Sequence, residues 1–103
     1  MLVCFHLVDA PGMTDKRAEI RPEHLEYLGT KKDDILCAGP LIADDGETSI
    51  GSMMVIDFPS VEAARAWISE EPFTKAGVYD MQKITLWKSV FQPGANVAGA
   101  AAA

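Results

Sequence analysis

The stretch SMMVIDFPSVEAARAWI, residues 52–68, reads as a strand that runs straight into a helix. Ser52–Phe58 is a run of apolar and β-branched side chains, as a buried strand requires. Pro59 and Ser60 stop it. Ser60 offers an N-cap hydroxyl and Glu62 a first-turn negative charge, while Val61, Ala64, Trp67 and Ile68 form one apolar helical face.

The flanks repeat the same two units. On the N-terminal side, Asp44-Asp45-Gly46-Glu47 is a turn that favours a hairpin, and Ile35–Ala38 ahead of it is a short strand closed by Gly39-Pro40. Further back, Ile20, His24, Tyr27 and Leu28 recur at helical spacing. Thr14 is the expected cap of that helix and Asp15 sits in its first turn; Pro22 should restart or kink it. Leu2–Val8, ended by Asp9-Ala10-Pro11-Gly12, is a first buried strand. On the C-terminal side Pro72 ends the second helix, Gly77 opens a link, and Met81–Val90 is a last strand with Ile84, Leu86 and Val90 on one face. One domain over 1–92 results, followed by a Gly- and Ala-rich tail, 93–103, expected to be disordered.

Strand–helix–strand–strand–helix–strand is the split β-α-β order of an α+β, ferredoxin-like fold. It predicts one four-stranded antiparallel sheet with both helices on one face. Such a sheet should alternate apolar with polar residues. Here Phe5, Leu7, Met53 and Val55 are apolar, and so are their neighbours Cys4, Met54 and Ile56. The bare face therefore calls for a second copy of the chain, a homodimer through the sheet. The first and second strands are not neighbours in this order, which argues against a Cys4–Cys37 disulfide. Both cysteines are expected as reduced, buried thiols; a zinc site with the two histidines is the alternative, and no Cys-x-x-Cys spacing supports it.

Fifteen acidic residues against nine basic ones leave a formal charge of −6, and the basic residues are interleaved with acidic ones. A binder of nucleic acid needs clustered Lys and Arg, so that class is excluded. No apolar run approaches the ~20 residues of a membrane span. Met1–Val8 is too short for a signal-peptide core and lacks a charged lead-in, so the expected location is the cytoplasm. Neither a phosphate-binding glycine loop nor a dinucleotide fingerprint occurs, and the expectation is a protein with neither metal nor cofactor.

His24 is the first residue to suspect of chemistry, because imidazole titrates near neutral pH. As a general acid or base it would need a carboxylate to set its tautomer; otherwise it is a helix histidine bonded to a loop. His6 lies within the first strand and reads as a core or interface residue. Arg17 and Arg21 can share a helical face and clamp a carboxylate or phenolate, or they can pair with Asp9 or Glu19. Ser52 can hydrogen-bond a ligand, although nothing marks it as a nucleophile. Phe73, Tyr79 and Trp67 either line a pocket for a flat ring or fill the core.

Asp9-x-Pro11-Gly12, Arg17, Arg21-Pro22-x-His24-Leu25, Ala38-Gly39-Pro40, Gly51-Ser52 and Glu71-Pro72-Phe73 with Ala76-Gly77 together resemble the YciI-like (YCII-domain) family of small bacterial proteins, over roughly residues 1–91. The resemblance implies a dimeric α+β barrel of ferredoxin-like subunits. It also implies a site with a histidine and an acidic residue, in a cleft between sheet and helices. The family includes a dehydrochlorinase of a chlorinated hydroxyhydroquinone. Its histidine falls on His24 and its aspartate on Glu71, where the carboxylate stands one methylene further out. That shift keeps the pair through another rotamer or breaks it. Asp9, at the end of the first strand, is the second candidate partner. Glu71 at a helix C-terminus would oppose the dipole, so it should have a partner such as His24 or an arginine.

The reading that follows is a small enzyme using His24 with Glu71 or Asp9 for acid–base chemistry. Arg17, Arg21, Ser52 and Phe73 would bind a small anionic or phenolic substrate, for example a chlorinated aromatic or a lactone. The competing reading is a non-catalytic small-molecule-binding or interaction module of the same fold.

Overall fold

A computed structural model describes residues 1–92 and 95–96. Four strands, β1 (Leu2–Asp9), β2 (Ile35–Ile42), β3 (Ser49–Asp57) and β4 (Tyr79–Leu86), form one antiparallel sheet in the order β2-β3-β1-β4. Helices α1 (Thr14–Gly29) and α2 (Val61–Ser69) provide the crossovers, and a four-residue helix, α3 (Pro72–Lys75), leads into β4. This is the α+β, ferredoxin-like arrangement expected from the element order.

The inner face of the sheet holds the core. Val3, Phe5 and Leu7 of β1 meet Met54 and Ile56 of β3, and Phe58, Ala64 and Ile68 close over them. Each of the Val, Leu, Ile, Phe and Met side chains contributes roughly 1.5–3 kcal/mol through loss of contact with water. Trp67 belongs to this core: its ring lies 5.8 Å from Phe5, 5.7 Å from Phe58 and 5.0 Å from Tyr27. Ser60 caps α2 as expected, accepting from the Ala63 amide at 3.0 Å.

Several boundaries differ from expectation. Met13, not Thr14, is the N-cap of α1, because Gly12 turns the chain at φ +78° immediately before it and the Arg17 amide bonds the Met13 carbonyl. The helix runs through Pro22 without restarting, giving up the bond its missing N–H would make to the Ala18 carbonyl. Long-range bonds of Arg17 before Pro22 and His24 after it hold both halves in place. β2 continues past Gly39-Pro40, which an edge strand tolerates. β4 begins at Tyr79 and ends at Leu86, earlier than expected, with a register shift opposite Val8 and Asp9; Val90 falls outside it.

On the outer face, Cys4 and Cys37 both lie opposite Val55 from its two sides. Two strand spacings, about 10 Å, separate their backbones, too far for a disulfide. Both are free thiols, and neither is buried as expected: Cys4 is half-buried and Cys37 exposed, because no helix covers that face. His6 is exposed there too, between Met53 and Lys83. Of the expected tail, Ala95–Asn96 pairs its backbone with Phe91–Gln92; its other residues lie outside the described ones.

Candidate functional site

Two buried hydrogen-bonded side-chain pairs sit side by side between α1 and the sheet. Glu71, wholly inaccessible to water, bonds Nδ1 of His24 through Oε1. With the carboxylate accepting, Nδ1 carries the proton and Nε2 is the basic ring nitrogen. Oε2 of the same carboxylate accepts from the Thr74 amide at 3.2 Å. Glu71 is thus the N-cap of α3, with Pro72 in the first turn. This corrects the expectation that Glu71 closes the preceding helix: α2 stops at Ser69, and a negative charge at the start of α3 suits the backbone dipoles there.

The second pair takes Asp9 out of reach of the dyad. Asp9 accepts from Arg17 Nη1 at 2.8 Å, while Nη2 of the same guanidinium donates to Ser52 Oγ at 2.8 Å. Ser52 in turn shares a 2.9 Å bond with the Tyr79 hydroxyl. Burial pushes the Asp9 carboxyl up, and the adjacent guanidinium draws it back. Burial also drives the Tyr79 hydroxyl well above the ordinary phenol range, with the Glu71 charge adding to it, so Tyr79 remains a proton-bearing donor.

Phe73 joins the two pairs. Its ring stacks on the His24 imidazole at 4.0 Å and 18°, and the Arg17 guanidinium carbon lies 4.5 Å from its centroid. Tyr79 meets it edge-on at 5.9 Å. The ring is itself buried, so it fixes the orientation of both side chains.

A cavity of about 200 Å³ opens over this platform. Helix α1 lines it with Arg17, Arg21, His24 and Leu25, β2 with Gly39 and Pro40, and β3 with Ser49 and Ser52. An apolar cavity of about 150 Å³ suffices for benzene, so one six-membered ring fits here. Arg21 forms no ion pair among the described residues, unlike Arg17, whose charge is met by Asp9.

Six of the seven side chains singled out from the sequence therefore face or support one cavity, and Asp9 serves it through Arg17. Sequence reasoning had not separated Tyr79 from the core aromatics and had not found Ser49. Alternation along β3 puts residue 52 on the inner face, but the hydroxyl pair with Tyr79 depends on the β4 register.

The YCII-related domain model matches residues 1–88. The chain belongs to the YCII-related family. This YCII-related chain is 35% identical over 98 residues to Protein YciI of Escherichia coli O6:H1, covering 88% of this chain and all of that protein. It is 32% identical over 90 residues to an uncharacterized protein of Haemophilus influenzae, 81% of this chain and 92% of that one. Among solved structures it is similar to the 5-chloro-2-hydroxyhydroquinone dehydrochlorinase of Burkholderia phenoliruptrix AC1100, in complex with 2,5-dihydroxybenzoquinone. The TM-score is 0.80 at 28% identity, covering 85% of this chain and 94% of that one. In the YCII-related domain here, no helix is long and apolar enough to cross a membrane among the described residues.

Proposed function

We propose that this protein is a small cytoplasmic enzyme that moves protons on a phenolic or quinol ring without a cofactor. One observation carries the reading: a wholly buried carboxylate is bonded to Nδ1 of a histidine whose ring lines a ring-sized cavity. Glu71 holds the tautomer in which Nε2 accepts a proton, and Phe73 fixes the plane of the imidazole. In the proposed step Nε2 takes the proton of a ring hydroxyl and delivers it to a ring carbon, giving the keto tautomer. Where that carbon bears chlorine, loss of the proton from a second hydroxyl, para to the first, expels chloride and leaves a quinone. The C–Cl electron pair departs with the chloride, so the step needs no external oxidant. A guanidinium beside the developing oxyanion stabilises it, and Arg17, which lines the cavity, is proposed for that role. The similar dehydrochlorinase, with its quinone ligand, supports this substrate class.

The same reading includes a homodimer. The outer sheet face presents Met53 and Met81, 39% and 37% exposed, with His6 and Cys4 between them, and a second copy would cover them.

The test is chloride release from 5-chloro-2-hydroxyhydroquinone by the wild type and by His24→Gln. Turnover that falls at least ~100-fold in the variant, with the fold intact by circular dichroism, is expected. Ligand binding without any turnover assigns the site to a binding module instead. Turnover that survives the substitution removes His24 from the chemistry.

A further inference from the structure

A second cavity, about 330 Å³, lies against the first and shares Arg17, Arg21 and Ser49 with it. Its remaining walls are Thr14 and Ala18 of α1 and Glu47 and Thr48 from the β2–β3 turn. The two lobes differ in chemistry. The inner one meets Phe73, Met54, Leu25 and Pro40, and the outer one sets the hydroxyls of Thr14, Thr48 and Ser49 and the Glu47 carboxylate beside the two arginines.

The charges in the outer lobe can be assigned one by one. Arg17 is committed to Asp9 and Ser52. The Thr48 hydroxyl is committed to Asp45. The hydroxyls of Thr14 and Ser49 make no hydrogen bond among the described residues, and Arg21 forms no ion pair among them. Glu47 is the one carboxylate on the wall, so the lobe has a cationic side at α1 and an anionic side at the turn.

We infer that the substrate is a ring bearing a short anionic arm, and that the arm lies in the outer lobe against Arg21. The inference rests on the proposed reading of the inner lobe as a phenol site and adds to it the second half of the molecule. Arg21 stands where the lobes join, so one guanidinium reaches a carboxylate on the arm while the ring stays stacked beside His24. Bidentate pairing makes arginine suited to that task.

Three probes separate the possibilities: phenol, 3-hydroxyphenylacetate and tyramine, titrated into the full-length protein by NMR at low salt. In the wild type 3-hydroxyphenylacetate is expected to bind at least ~10-fold tighter than phenol, and tyramine no tighter than phenol. Arg21→Gln is expected to bring the three within about three-fold of one another, and Arg21→Lys to restore part of the ranking. If phenol and 3-hydroxyphenylacetate bind the wild type equally, the anionic arm is wrong and the ring site stands. If tyramine binds tightest, Glu47 reads the arm and the inference fails in sign. Equal weakening of all three by Arg21→Gln also overturns it. Should none of the probes bind, the phenol reading of the inner lobe falls, and this inference with it.

Discussion

Replacing Glu71 by glutamine and by alanine should separate what this carboxylate does for the fold from what it does for His24. The side chain is wholly buried, and its two oxygens are spent on different partners, His24 Nδ1 and the Thr74 amide. Alanine leaves both donors without acceptors and opens a cavity, so the expected loss is about 3–5 kcal/mol. Glutamine keeps the volume and one carbonyl acceptor. It exchanges two charge-assisted bonds of about 1.5–3 kcal/mol each for neutral ones near 1 kcal/mol, a net cost of about 1–4 kcal/mol. In a domain of this size 1 kcal/mol moves the melting temperature by about 4–8 °C. Chemistry should respond in a different proportion. The glutamine amide can donate to Nδ1, which places the histidine proton on Nε2 and removes the base. The comparable exchange in a serine-protease triad lowers kcat about 10⁴-fold, and a loss of 10³-fold or more is expected here. Chloride release and thermal melts on the same preparations give both numbers. Glu71→Gln that turns over within ten-fold of the wild type refutes the tautomer argument. Glu71→Ala that melts at the wild-type temperature refutes the buried pair.

Gly51→Ala should destabilise the protein by about 1–3 kcal/mol, read by urea denaturation, because a Cβ there collides with the backbone oxygen of Leu7 on the paired strand; an unchanged midpoint would show that the strands can part. At the β2–β3 turn, Asp45 accepts from the Thr48 hydroxyl and from the Thr48 and Glu47 amides, which lowers its carboxyl to about 2 from the ordinary value near 4. A lowered pKa stabilises the charged form, so this turn should be fully held above pH ~4 and loosen as pH falls through about 2. Faster exchange of the Thr48 amide over that window is the readout, and Asp45→Ala should remove the pH dependence. Met53→Glu, at the centre of the outer sheet face, should convert a dimer to monomers by light scattering, and a wild type that is monomeric at every concentration would end the dimer reading.

How much of this could be seen in the sequence depends on whether the deciding contact is local. Ser60 caps α2 from a distance of three residues, and the alternation of Val3, Phe5 and Leu7 is set by the two-residue period of a strand, so both were legible. Pro22 argued for a broken helix, and only the anchoring of Arg17 and His24 to distant residues explains why α1 continues. Glu71 was found, but its place was misread, since Pro72 is equally consistent with ending one helix and starting another. The choice between Glu71 and Asp9 was open for the same reason. It turns on Arg17, whose guanidinium claims Asp9 across eight residues and Ser52 across thirty-five. Tyr79 carried no local signal at all, because its partner lies on a strand that is not adjacent to its own.

The two-ended attachment of Glu71 also bears on how a ligand gets in. One end of the carboxylate holds α1 through His24 and the other pins the opening turn of α3. If α1 swung away from the sheet it would strand a buried charge, and the same motion would pull Arg17 from Asp9 and Ser52. The jaw of the cleft is therefore rigid, and admission falls to the long side chains at its lip, Arg21 and Leu25, which can change rotamer in nanoseconds. On the proposed reading, an entering ring would meet a cation and a leucine at the lip before it reached His24.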